Sequence, residues 1–173
     1  MDDLTQLALR AQRGDDESLA ELIRRTQPDV WWMCAHVAGR ERADDLTQET
    51  FLRAWRALPR YRSEAGVRSW LLAIARNTAV DGLRAASRRP VGGAALAESL
   101  VPHAPDPANL VATHQLFDSL DPDRRTALFL TQLLGLSYAE AAVVCGVPVG
   151  TIRSRIARGR ADLLGDLESA SGS

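Results

Sequence analysis

A chain of 173 residues with a formal charge of −1 can form one ordinary domain or two small ones, each with a modest core, and its net charge does not advertise a nucleic-acid binder. Aromatic residues make up only 5% of the chain, Ala and Leu are abundant and runs of β-branched residues are few, which predicts an all-α fold. No apolar run approaches the ~20 residues that span a bilayer, and the opening MDDLTQ lacks the basic flank and apolar core of a signal peptide, so a cytoplasmic location is expected.

The distribution of charge says more than its sum. Residues 31–89 hold eleven Arg against six acids, residues 90–120 hold three acids and no Arg, and residues 121–173 hold six of each. All 21 basic residues are Arg, whose planar fork suits bidentate contact with phosphates and base edges. Cys34 and Cys145 each fall in an apolar helical pattern, which predicts buried free thiols and no disulfide framework. His36, His103 and His114 show no metal-ligand spacing with each other or with the cysteines, so neither a metal nor a cofactor is expected.

Asp3 can cap a first helix with Leu4, Leu7, Ala8 and Ala11 inside, ending at Gly14, after which Asp15 or Asp16 starts a second. Leu19, Leu22 and Ile23 form its apolar face, Pro28 marks a break or a new first turn, and Val30, Trp31, Cys34, Val37 and Ala38 continue to Gly39. Of the adjacent tryptophans, Trp32 is the one expected at the surface. A further helix begins near Asp44, where acids favour the helix start. Leu46, Phe51, Trp55 and Leu58 can face inward, while Asp45, Gln48, Glu49, Arg53 and Arg56 form an outward stripe. On physics alone that stripe is a solvated face with i,i+4 pairing such as Glu49 to Arg53.

Residues 59–66, PRYRSEAG, read as a loop before a long helix from about Val67 to Arg88. Tyr61, Arg62 and Arg68 supply an aromatic ring and positive charge, the chemistry that stacks an unpaired base and neutralises its phosphate. On the helix, Leu71, Ile74 and Ala75 look buried, whereas Asn77, Asp81, Arg84 and Arg88 recur on one face. Asn77 can pair with a base edge, and Arg76, Arg84, Arg88 and Arg89 can hold a nucleic-acid backbone. Trp70 reads either as core or as a wedge between strands.

Residues 90–108, rich in Gly, Ala and Pro, read as a flexible linker. A helix follows over Asn109 to Leu120 with Leu110, Val111, His114 and Phe117 inward, and Asp121-Pro122 caps another over Asp123 to Leu134, closed by Gly135. Ser137 and Glu140 form a capping box for a short helix ending at Cys145-Gly146. Pro148 suits the first turn of the next, whose Ile152, Ile156, Gly159 and Leu163 share the packing face. This is a helix-turn-helix. Gly150, Thr151, Ser154, Ala157 and Arg158 point outward, with Arg153, Arg155 and Arg160 on the flanks, an arrangement suited to the DNA major groove. The tail, residues 169–173, reads as disordered.

The runs DDLTQETFLRAW, PRYRSEAGVRSWLLAIARNTAVDGLR and LTQLLGLSYAEAAVVCGVPVGTIRSRIARGR occur in an order and at separations that closely resemble the extracytoplasmic-function (group 4, ECF) sigma factors of the sigma-70 family. The resemblance covers nearly the whole chain outside the linker. It implies an all-α protein of two small helical domains joined by a flexible linker: residues 1–89 like sigma-70 region 2, a linker over 90–108, and a four-helix, helix-turn-helix domain over 109–168 like region 4. The implied function is to bind core RNA polymerase and direct promoter-specific initiation. It assigns polymerase docking to Asp45, Gln48, Glu49, Leu52 and Arg53. It assigns the −10 element, as single-stranded DNA, to Tyr61, Arg62, Arg68, Arg76, Asn77, Arg84 and Arg88. The duplex −35 element falls to Thr151, Arg153, Ser154, Arg155 and Arg158. The family's linker threads the polymerase cleft, and its members are often held inactive by an anti-sigma protein, which is accordingly an expected partner.

Two rival readings remain open to the sequence. A stand-alone helix-turn-helix regulator accounts for the C-terminal half but leaves the outward stripe and the Asn77 helix without a task. An enzyme is disfavoured, because no phosphate loop, paired catalytic carboxylates, Ser/His/Asp set or metal cluster is present.

Overall fold

The computed structural model describes residues 2–88 and 119–171, with side chains as far as residue 166 in the last helix. The expected linker, Arg89, His103 and the expected helix with Leu110, Val111, His114 and Phe117 lie outside the described residues. The chain divides into two compact units, residues 1–104 and 105–173.

In the first unit, α1 spans Asp3–Gln12. Its cap is Asp2, one residue before the expected Asp3: the Asp2 carboxylate accepts from the Thr5 backbone N–H and from its hydroxyl, both at 2.8 Å. The same geometry recurs at α2, Asp16–Ala38, where Asp15 accepts from Ser18 N at 3.1 Å and Ser18 Oγ at 2.7 Å. The Ser18 hydroxyl and N–H hold the Asp15 carboxyl below its ordinary pKa.

Pro28 does not break α2, contrary to the sequence expectation. Thr26 and Val30 on either side of it are buried, and the packing of that face outweighs the one backbone hydrogen bond that proline removes. Gly39, at φ +90°, turns the chain into α3, Arg40–Ala57, which starts four residues earlier than the acidic cluster suggested. A 3-10 turn, Leu58–Arg60, leads to the loop, and α4 spans Val67–Ser87. The core of the unit collects Leu7, Leu22, Val30, Met33, Leu71 and Leu72. Gly82 lets α3 and α4 approach closely, since a Cβ there would stand 2.8 Å from Leu46 Cδ2.

Two of the tryptophan expectations in this unit are corrected. Trp32 is 6% exposed, packed edge-on to Trp31 with ring centroids 5.0 Å apart, and Arg40 lies over both rings. Trp55, expected inside, is 49% exposed. Cys34 is buried and Cys145 half-buried; burial pushes the Cys34 thiol pKa up.

In the second unit, α5 spans Pro122–Leu128, capped by Asp121, which accepts from Asp123 N at 3.0 Å and Arg124 N at 3.4 Å. The helix then widens into a π-turn, Phe129–Leu133, that Gly135 closes at φ +69°. The following α6 (Tyr138–Cys145) and α7 (Val149–Ser171) form the expected helix pair. Because α7 runs to Ser171, residues 169–171 of the expected disordered tail are helical. Leu128, Phe129, Leu130, Ala141, Val144, Ile152 and Ile156 form the core. Gly159 is the contact point of α7 with α5, where a Cβ would come within 2.8 Å of Leu128 Cδ1.

Candidate functional site

The helix-turn-helix is built by local chemistry. Ser137 Oγ accepts from Glu140 N at 3.2 Å and Glu140 Oε2 accepts from Ser137 N at 2.8 Å, so two N–H groups at the start of α6 are satisfied reciprocally. Gly146 ends α6 in the left-handed region at φ +65°, and Val147 N donates to Ala142 O at 3.1 Å. Pro148 O then accepts from Thr151 N at 2.9 Å and starts α7. Buried Ile152 and Ile156 fix the rotation of α7, leaving Arg153, Ser154, Ala157 and Arg158 exposed and Thr151 half-buried. Arg155 is held back on the protein: its Nη2 lies 2.5 Å from Asp123 Oδ2 of α5, and its side chain is 21% exposed. The Ser154 hydroxyl donates to Thr151 O at 3.0 Å.

On α3, Asp45, Gln48 and Leu52 are exposed, with Glu49 and Arg53 half-buried beside them. Arg53 Nε donates to Glu49 Oε1 and its Nη1 to Asp81 Oδ2 of α4, each at 2.8 Å. Asp81 and then Glu49 raise the Arg53 pKa further above its ordinary value. Both pairs are well exposed, so each contributes little to stability. Sequence reasoning missed Trp55, which lies three residues after Leu52 and seven after Gln48 and so shares their face. That spacing was the available signal. Leu52 and Trp55 border an open groove of about 490 Å³ between α2 and α3, lined also by Leu19, Ile23, Gln48 and Phe51. An exposed apolar patch rimmed by polar side chains is the ordinary signature of a protein-binding surface.

The loop residues are not equally available. Tyr61 is 7% exposed; its ring packs on Trp70 with centroids 4.9 Å apart, and its hydroxyl donates to Ala65 O at 2.6 Å. Burial raises the Tyr61 pKa. In this arrangement the ring is turned into the unit and supports the loop from within. Arg62 is exposed. Arg68 Nε donates to Asp29 Oδ2 of α2 at 2.6 Å. Along α4, Asn77, Asp81, Arg84 and Arg88 are all exposed, with Arg76 half-buried, so the expected face exists, though Asp81 engages Arg53. Among the described residues, no group of three or more His, Cys, Asp or Glu side chains is placed to hold a metal ion, and no helix is long and apolar enough to cross a membrane.

The profile of Sigma-70 region 2 matches residues 22–89, the unit that carries the α3 stripe and the α4 face. That of Sigma-70, region 4, matches residues 110–163, around the helix-turn-helix. The "ECF RNA polymerase sigma factor SigC" of Mycobacterium tuberculosis is 49% identical over 169 residues, covering 95% of this chain and 91% of that protein. The chain belongs to the ECF sigma factors of the sigma-70 family. An "ECF RNA polymerase sigma-E factor" of Escherichia coli is 36% identical, covering 89% of this sigma factor and 88% of that protein. Among solved structures, CnrH, in complex with the cytosolic domain of CnrY, matches with a TM-score of 0.73 at 27% identity, covering 96% of this chain and 99% of that one. RpoE of Bartonella quintana, solved with the anti-sigma factor NepR, shares the fold at 24% identity with a TM-score of 0.68, covering 88% and 98%. This sigma factor therefore directs promoter-specific transcription initiation on core RNA polymerase, and the stand-alone regulator is not favoured, since region 2 accounts for the half of the chain that reading left idle.

Proposed function

We propose that the work of initiation divides between the two units, and that neither performs covalent chemistry. The α3 surface made of Asp45, Gln48, Glu49, Leu52 and Arg53, extended by Trp55, docks on the core enzyme. The exposed pairing of Leu52 and Trp55 within a charged stripe carries this reading, because two large apolar side chains left in water on an otherwise polar helix gain most when a partner covers them. Arg62, Asn77, Arg76, Arg84 and Arg88 receive the −10 element as single-stranded DNA. Captured bases bias a fluctuating duplex toward the open state, each stacked or pocketed base contributing on the order of 1–3 kcal/mol. Tyr61 supports that loop from beneath, and Arg68 contributes charge from its pair with Asp29.

The α7 face meets the −35 element in the major groove, with Arg153 and Arg158 reaching phosphates or base edges and Thr151 and Ser154 at the centre. Arg155, engaged by Asp123, orients α7 and makes the smaller DNA contribution of the three arginines. With so few long base-reading side chains this unit binds weakly alone, and its effective concentration at the promoter is set by the polymerase-docked unit. Residues 90–108 serve as the linker. An anti-sigma factor is an expected partner, as the complexes of CnrH with CnrY and of RpoE with NepR illustrate for those proteins. The site of action is the cytoplasm.

The test is capture of the full chain on core polymerase followed by run-off transcription from a matched promoter. Stable core binding and promoter-dependent transcripts are expected. Tight binding to duplex DNA with no affinity for core would overturn the proposal.

A further inference from the structure

The Tyr61–Gly66 loop carries Arg62 exposed, and both of its ends are fastened to α1, a helix that supplies no residue to the α3 stripe or to the α4 face. At the entry, Gln12 Nε2 donates to Leu58 O at 2.8 Å and to Tyr61 O at 2.9 Å. One amide nitrogen thus spends both its protons on the 3-10 turn that feeds the loop. At the exit, Val67 N, an N–H at the start of α4 that no helix carbonyl can satisfy, donates to Thr5 Oγ1 at 3.2 Å. The Thr5 hydroxyl in turn donates to the Asp2 carboxylate at 2.8 Å, so the capping residue of α1 also secures the end of the loop. Between these anchors the Tyr61 hydroxyl closes the loop on Ala65 O, and Ser63 takes a left-handed φ of +55°, a conformation that a non-glycine residue holds only when its surroundings dictate it.

Resting on the reading of this loop as the −10 capture element, we propose that α1 is its positioning brace. Gln12 and Thr5 hold Arg62 where an unpaired base and its phosphate arrive, without touching DNA themselves. A loop fastened only at its own peptide ends must be ordered when DNA binds, and that ordering subtracts from affinity. Gln12 and Thr5 order the loop beforehand. Their bonds to it bridge 46, 49 and 62 residues of sequence, so they stabilise this one arrangement, and none of them ends on a residue of the α3 docking stripe.

The experiment compares holoenzymes formed with the wild-type chain and with Gln12→Leu, Thr5→Val and Arg62→Ala. Three quantities are read: affinity for core polymerase, affinity of the holoenzyme for a fluorescent single-stranded oligonucleotide of the promoter's non-template −10 strand, and the unfolding temperature of the free chain. Gln12→Leu is expected to weaken oligonucleotide binding about tenfold, the loss of two hydrogen bonds, and Thr5→Val somewhat less, with core affinity within about twofold of wild type. Thr5→Val changes a hydroxyl for a methyl of the same size and serves if Gln12→Leu does not fold. If Arg62→Ala weakens the oligonucleotide and neither α1 variant does, the brace is wrong and the loop reading stands. If Arg62→Ala has no effect, the loop reading falls and the brace with it. Equal losses of core affinity and oligonucleotide affinity would make Gln12 a residue of general stability and overturn the proposal.

Discussion

The two faces proposed for DNA are prepared differently. On α7, Arg153 and Arg158 stand exposed on a helix whose rotation is fixed by Ile152, Ile156 and Gly159 beneath it. In the first unit the capture loop is tied down within the fold: Tyr61 is buried against Trp70 and Arg68 pairs with Asp29, while Arg62, Asn77, Arg84 and Arg88 stand exposed around them. Reading a preformed duplex groove asks only that a rigid helix present side chains at the right spacing. Capturing a strand that must first leave its partner asks for a receptor ordered in advance, and internal bonds supply that order.

The largest expected effect falls in the first unit, on the docking stripe that delivers its loop to the promoter. Glu49→Arg places a guanidinium beside Arg53 and reverses the charge of the α3 stripe; core affinity should fall roughly 100-fold, by the several kcal/mol that like-charge juxtaposition costs across an interface. Competition binding with labelled core measures it, and an unchanged affinity would move docking away from α3. Next comes Arg158→Ala, expected to cost about 1–3 kcal/mol at the matched −35 sequence and less at altered ones. An equal loss on every sequence would make Arg158 a phosphate contact.

Ser137→Ala removes one half of the capping box and should destabilise the second unit by about 1 kcal/mol in denaturant unfolding, with the first unit unaffected. The smallest effect belongs to Arg155→Ala. Its partly exposed pair with Asp123 contributes less than about 1 kcal/mol to stability, and promoter selectivity should be unchanged. A selectivity loss matching that of Arg158→Ala would show that Asp123 releases the guanidinium to DNA and would erase the contrast between the two faces.

What could be read from the sequence was local. Ser137, Glu140, Gly146 and Pro148 each act within a few residues of themselves, so the helix-turn-helix was legible down to its cap and the glycine that ends its first helix. The outward stripe at Asp45, Gln48, Glu49 and Arg53 was legible for the same reason, since helical spacing alone places those residues on one face. Spacing could not say which neighbouring face the fold would cover. Trp32 and Trp55 were accordingly exchanged: Trp31, Trp32 and Arg40 stack where α2 meets α3, while Trp55 lies at the open edge of the groove. Pro28 passes through α2 because the packing of Thr26 and Val30 outweighs a local preference for breaking.

The all-α class, the caps, the helix-turn-helix and, through three ordered motifs, the sigma factor family were all written in the order of the residues. The states of the functional side chains were not, and they came from folding: Tyr61 turned inward, Arg155 drawn to Asp123, Arg53 shared between two helices, and Gln12 bonded to a turn 46 residues away. The difference is one of range. Caps and helical periodicity are set by hydrogen bonds within one turn, whereas a side chain's exposure and partner depend on which distant segment the hydrophobic core brings beside it.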